Sequence, residues 1–134
     1  MKAAVRYYSR GGGTKRLAEA IARAVGAEAR TTAEPLPEFA DVVFLGASVY
    51  AGRPDPEVVR FLRRNGDNIG RAVVFGSSAG GKSAQPQLRV LGEETGVKVA
   101  ENYFYCPGAF LFLHRGRPNG DDCAAAAAFA RGQL

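Results

Sequence analysis

The chain has 134 residues, of which 46% are hydrophobic and 23% charged, the balance of an ordinary globular protein, which excludes a disordered or fibrous one. Its formal net charge is +5, and Lys2, Lys15, Lys82 and Lys98 are the only lysines among 18 basic residues. The cations are spread along the chain with no block of five, so the excess favours acidic partners over nucleic acid.

Residues 3–8 form a short apolar run ended by glycines, which predicts a strand. No apolar run of signal-peptide length precedes Arg6, so the cytoplasm is the expected location. Over residues 14–25, Leu17, Ala18, Ile21, Ala22 and Val25 fall on one helical face, and Gly26 supplies the stop. Residues 27–32 can form a short strand before Pro35 and Pro37 break the chain. Residues 41–47 predict the next strand, continuously apolar from Val42 on rather than alternating, the mark of a parallel strand covered on both faces. A loop with Gly52, Pro54 and Pro56 leads into a helix over 56–64, with Asp55 as N-cap and Pro56 as its first residue. Residues 71–75 are another buried strand. A helix over 83–95 tolerates Pro86 only in its first turn. Residues 97–105 are a fifth strand, and 121–131 an alanine-rich helix with acids at its start, where the helix dipole favours them. The longest uncharged stretch, residues 102–113, is too short to cross a bilayer and holds Pro107 and Gly108, so no membrane insertion is expected.

Five strands alternating with four helices predict an α/β fold, a parallel sheet with helices on both faces, in one domain over residues 1–134. In such open sheets the site lies at the carboxyl ends of the strands. After the first strand comes Ser9-Arg10-Gly11-Gly12-Gly13-Thr14, which opens directly into a helix. Glycines let backbone amides converge on one point, and the helix N-terminus adds partial positive charge, so the loop suits a phosphate dianion. The residues fit equally a glycine-rich turn with Thr14 as a plain helix cap. No dinucleotide fingerprint is present. Gly76-Ser77-Ser78-Ala79-Gly80-Gly81-Lys82-Ser83 matches the nucleotide-binding pattern G-x-x-x-x-G-K-[ST], but no later apolar strand ends in a metal-binding Asp. It reads otherwise as a glycine-rich turn. Cys106 and Cys123 are too few for a disulfide scaffold, and with the single His114 they predict no metal site. Cys106 ends a strand near the expected site and reads as a buried hydrophobe or a functional thiol; Cys123 reads as packing. His114 reads as a loop residue rather than a base, and Tyr103, Phe104, Tyr105, Phe110 and Phe112 as packing.

The run from Tyr7 and Tyr8 through Ser9, Gly12 and Thr14 to Leu17-Ala18-Glu19-Ala20-Ile21 resembles the phosphate loop and first helix of the flavodoxin family. The family pattern is roughly [ST]-x-T-G-x-T; Gly11 stands where the family usually has Thr. Phe44-Leu45-Gly46-Ala47-Ser48-Val49-Tyr50-Ala51-Gly52-Arg53-Pro54 is similar to the family's loop after the third strand, which lies against the flavin ring. Cys106-Pro107-Gly108 and Arg115-Gly116-Arg117-Pro118-Asn119 resemble the ending of short prokaryotic members.

The resemblance implies a three-layer fold with a five-stranded sheet of order 2-1-3-4-5, and FMN as cofactor in electron transfer with a redox partner protein. It places the phosphate against Ser9, Arg10, Gly11, Gly12, Gly13 and Thr14. Ser48, Val49, Tyr50, Ala51 and Gly52 would face the ring, Tyr50 by stacking and Gly52 by a carbonyl directed at the flavin nitrogen protonated on reduction. Ser77, Ser78, Ala79, Gly80 and Gly81 would offer contacts at the pyrimidine edge. The loop after the fourth strand has no aromatic, which leaves one ring face open. Flavodoxins are typically acidic, whereas Arg10, Arg53 and Lys82 would here favour the negative charge of the reduced flavin and raise its potential. Residues 46–52 also resemble quinone- or porphyrinogen-linked oxidoreductases of the same fold. The other readings are a flavin-free binding module and a nucleotide binder through residues 76–83.

Overall fold

The computed structural model describes residues 1–50, 52–78, 80, 82–109 and 116–134, and at Tyr50 the backbone alone. The strands of the main sheet are β1 (Ala3–Tyr7), β2 (Ala29–Thr31), β3 (Ala40–Gly46), β6 (Ile69–Ser78) and β7 (Val99–Pro107). A two-stranded hairpin, β4 (Val49–Tyr50) and β5 (Arg53–Pro54), intervenes after β3. The helices are α1 (Gly13–Val25), α2 (Pro56–Asn65), α3 (Gln85–Thr95) and α4 (Gly120–Gly132).

The sheet is parallel throughout and ordered β2-β1-β3-β6-β7, which is 2-1-3-4-5 when its five strands are numbered along the chain. The continuous apolar runs are explained by two cores. In β3 and β6, Val42, Phe44, Val73 and Phe75 face α1 and α4 with Leu17, Ile21, Ala126 and Ala130. The alternate residues Val43, Leu45, Ala72 and Val74 face α2 and α3 with Val58, Phe61, Leu62 and Leu88. Strand side chains alternate between faces, so a strand buried on both sides must be apolar at every position.

Several boundaries follow the sequence. Gly26 ends α1 in the left-handed region at φ 74°. The Asp55 carboxylate accepts the Glu57 N–H at 3.1 Å as the N-cap of α2, with Pro56 behind it. Others moved. The fourth sheet strand spans Ile69–Ser78, not 71–75, because the β3 ladder reaches back to Ile69 and the β7 ladder holds Gly76 and the two serines that read locally as turn. The last strand is displaced two residues, to Val99–Pro107, where Cys106 and Pro107 pair with Ser77 and Ser78. Helix α3 starts at Gln85 rather than 83, with Ser83 Oγ accepting the Gln85 N–H at 3.3 Å. The β4–β5 hairpin has no sequence signal, since two-residue strands are too short to show a period.

Candidate functional site

The carboxyl ends of β1, β3, β6 and β7 surround a cavity of about 250 Å³. Its wall includes nine of the sequence-predicted residues: Ser9, Gly11, Gly13 and Thr14 from the glycine loop, Ser48 and Val49 after β3, and Ser77, Ser78 and Gly80 at the end of β6. The chain brings these together because the sheet order places β1, β3 and β6 side by side.

Thr14 is the centre of the wall. It is not a helix cap: the N-cap of α1 is Gly12, at φ 86°, with no side-chain cap bond. Thr14 is instead buried, its hydroxyl 2.9 Å from Ser48 Oγ and 3.3 Å from Ser77 Oγ. Three hydroxyls from three separated segments thus share one buried spot. Ser9 Oγ accepts the Gly12 N–H at 3.0 Å, which leaves its own O–H available to an incoming acceptor. Gly13 is required by close approach. A Cβ there would stand 2.8 Å from Ser77 Oγ and 3.0 Å from Pro118 Cδ.

Three predicted site residues do not line this cavity. Arg10 turns away to the α2 N-terminus, with Nε and Nη2 at 3.0 and 2.9 Å from the buried Asp55 carboxylate. Gly12 borders a separate cavity of about 300 Å³ behind the loop, with Tyr7, Tyr8, Lys15, Thr31 and Thr32. Gly52, at φ 76°, lies at the hairpin turn, its carbonyl accepting from Gln87 Nε2 at 2.8 Å. Ala51, Ala79, Gly81 and the Tyr50 side chain lie outside the described residues, as do Phe110, Phe112 and His114.

Four residues of the wall had no predicted role: Arg16, Gly108, Ala109 and Arg117. Arg16 was legible as the next turn of the loop's own helix. Arg117 was read only within the run 115–119 that resembles the ending of short family members; Asn119 and Asp122 after it are an N-cap and third helical residue of capping-box type. That box forms: Asn119 Oδ1 accepts the Asp122 N–H at 3.0 Å and Asp122 Oδ2 accepts the Asn119 N–H at 2.8 Å. Arg117 grips the same carboxylate through Nε at 2.6 Å and Nη2 at 2.7 Å. This hydrogen bonding holds the Asp122 carboxyl below the usual Asp range and pushes Arg117 up.

Cys106 is buried in the α1–α4 core, and burial pushes its thiol up to about 11. It is therefore a neutral packing thiol at ordinary pH rather than a nucleophile. Phe104 packs on Phe129 with ring centroids 5.9 Å apart, as expected of a packing residue, whereas Tyr103 is 48% exposed. The nucleotide reading of residues 76–83 fails on geometry. Gly76, Ser77 and Ser78 are still in the β6 ladder, and α3 begins only after Lys82 and Ser83. A loop of that type leaves the strand at its first glycine and enters the helix at its Lys.

A sequence profile described as a flavodoxin domain matches residues 4–102. No curated protein matches the chain by sequence. Among solved structures, the chain is similar to a flavodoxin from the domain Archaea, at 18% identity and TM-score 0.74 over 97% of this chain and 94% of that one. It is similar to oxidised flavodoxin 1 from Bacillus cereus, at 23% identity and TM-score 0.67 over 98% and 95%. It also overlays part of the rubredoxin oxygen:oxidoreductase of Desulfovibrio gigas, at 14% identity and TM-score 0.70 over 97% of this chain and 34% of that one. Among the described residues, no helix is long and apolar enough to cross a membrane. With three-quarters of its length inside the profile and the matching strand order around the glycine loop, the chain belongs to the flavodoxin family, FMN-binding proteins that pass electrons to redox partner proteins.

Proposed function

We propose that the cavity at the strand ends is the FMN site of a cytoplasmic electron carrier whose protein partners present acidic surfaces. The observation that carries this reading is the cavity of about 250 Å³ bounded by Gly11, Gly13, Thr14, Ser48 and Ser77. Its donor set suits a phosphate monoester: backbone amides at a glycine-rich helix start, and hydroxyls of Ser9 and Thr14. In this reading Ser9 through Thr14 hold the phosphate, with Gly12 shaping the turn and Arg10 anchoring the loop to Asp55. In the same reading Ser48 and Val49 line one side of the ring slot, and Ser77, Ser78 and Gly80 the other.

Bound FMN supplies one- and two-electron chemistry. The protein's part is to fix the phosphate, exclude water from the ribityl path and set the field at the ring. Of the three cations expected near the ring, Arg10 pairs with Asp55, whereas Arg53 and Lys82 are exposed and in this reading favour negative charge on the reduced ring. They also supply complementarity to an acidic partner.

Titration of the cofactor-free protein with FMN, followed by flavin fluorescence, tests the site. One-to-one quenching is expected, weakened about tenfold or more in Thr14→Ala, which removes the hydroxyl shared by Ser48 and Ser77. No quenching up to about 50 µM FMN overturns the proposal.

A further inference from the structure

We infer that Arg117, locked by Asp122, is the phosphate-end cation that makes this site select a phosphorylated flavin over an unphosphorylated one. The inference rests on the FMN reading above and adds a residue from beyond the last strand.

Position is the first ground. Arg117 lines the same cavity as Gly11, Gly13 and Thr14. Its neighbour Pro118 lies directly on the glycine loop, 3.0 Å from where a Gly13 Cβ would stand. The Arg117 carbonyl accepts the Ala109 N–H at 3.0 Å, which ties the segment to the end of β7. Arg117 therefore belongs to the loop end of the cavity, not to the hairpin end, with its guanidinium held at the first turn of α4 by Asp122.

Preorganisation is the second. Asp122 takes Nε and Nη2 of Arg117 in a two-pronged grip. The carboxylate is itself fixed by the capping box with Asn119. An arginine held by its planar fork loses little rotamer freedom when it binds a ligand. The grip uses two of five N–H groups, so three remain for phosphate oxygens. Arg16, on the same wall, adds a second positive charge.

Need is the third. A phosphate dianion presents three acceptor oxygens. The glycine at position 11 offers no hydroxyl where a threonine would give one, and space around it is open. A charge-assisted bond from Arg117 is about twice as strong as a neutral one and offsets that loss.

The test compares FMN with riboflavin, which lacks only the phosphate. Fluorescence titrations are run on the full chain and on Arg117→Gln, which removes the charge while keeping a polar side chain, with thermal melts confirming that the variant folds. The wild type should bind FMN more tightly than riboflavin. Arg117→Gln should weaken FMN about tenfold or more and leave riboflavin unchanged. Arg117→Lys should recover part of the loss. The wild type alone gives a second reading: its preference for FMN should shrink as salt rises. Equal weakening of both flavins, no weakening of FMN, or a salt-independent preference overturns the assignment while leaving FMN as cofactor. A wild type that binds neither flavin overturns the proposed function, and this assignment with it.

Discussion

The two ends of the cavity are made differently. At the glycine-loop end, buried hydroxyls of Thr14, Ser48 and Ser77 join three strand ends, Gly13 fits against Ser77 and Pro118, and Arg117 is fixed by a doubly bonded carboxylate. At the other end stands a hairpin of two-residue strands, tied to α3 by the exposed Gln87 donating to the Gly52 carbonyl. The difference teaches where shape is set in advance and where it can adjust. An anion gains most from donors that need no reorganisation when it arrives. At the hairpin end, the described tie to α3 is an exposed side-chain hydrogen bond, the kind of contact that opens locally at low cost.

Substitution at Gly13 should break the contrast most severely. Gly13→Val drives a side chain into Ser77 Oγ and Pro118 Cδ, so the rigid end has no room to yield. We expect a loss of about 1–3 kcal/mol in urea-measured stability and no detectable FMN binding in titration. A variant with wild-type stability and affinity would mean that this end gives way as readily as the hairpin.

The Arg117–Asp122 link predicts a pH signature. Arg117's hydrogen bonds depress the Asp122 carboxyl, so their stabilisation is fully present above the ordinary Asp range, about pH 4. It is lost as pH falls through the lower, folded-state value. Wild type should exceed Asp122→Asn in urea midpoint at pH 7, and the gap should shrink steadily on acidification. A gap that does not change with pH would remove the ion pair from the account of the rigid end.

The smallest effect belongs to the hairpin. Gln87→Ala removes one exposed hydrogen bond and should cost less than about 1 kcal/mol in a urea melt. FMN affinity should stay within about threefold of wild type, while amide exchange rises at Gly52 and Arg53. A large loss of FMN affinity would show the hairpin to be as stiff a part of the site as the glycine loop.

Much of this was legible in the chain. The apolar runs within 41–47 and 71–75 announced a parallel sheet, and the glycine loop before an amphipathic helix does border the cavity at the strand ends. Asp55 and Pro56 marked a helix start that the structure keeps. The misses share a cause. Ser77 and Ser78 read as turn because local propensity knows nothing of the neighbouring strand β7 that holds them. Arg10 read as a cation of the site because nothing local shows Asp55, 45 residues away, taking it. Arg117 was overlooked because it lies far along the chain from the loop on which its neighbour rests.

The sequence by itself determined the fold class, the strand order through the family pattern, and the glycine loop that opens the first helix. These depend on hydrophobic period, glycine placement and helix caps, all of which act over a few residues. Only the tertiary structure decided that Thr14 turns inward to Ser48 and Ser77, that Arg10 is spent on Asp55, and that Arg117 closes the cavity from beyond the last strand. Those outcomes rest on hydrogen bonds, ion pairs and close contacts between segments tens of residues apart, which exist only once the sheet has brought the strand ends together.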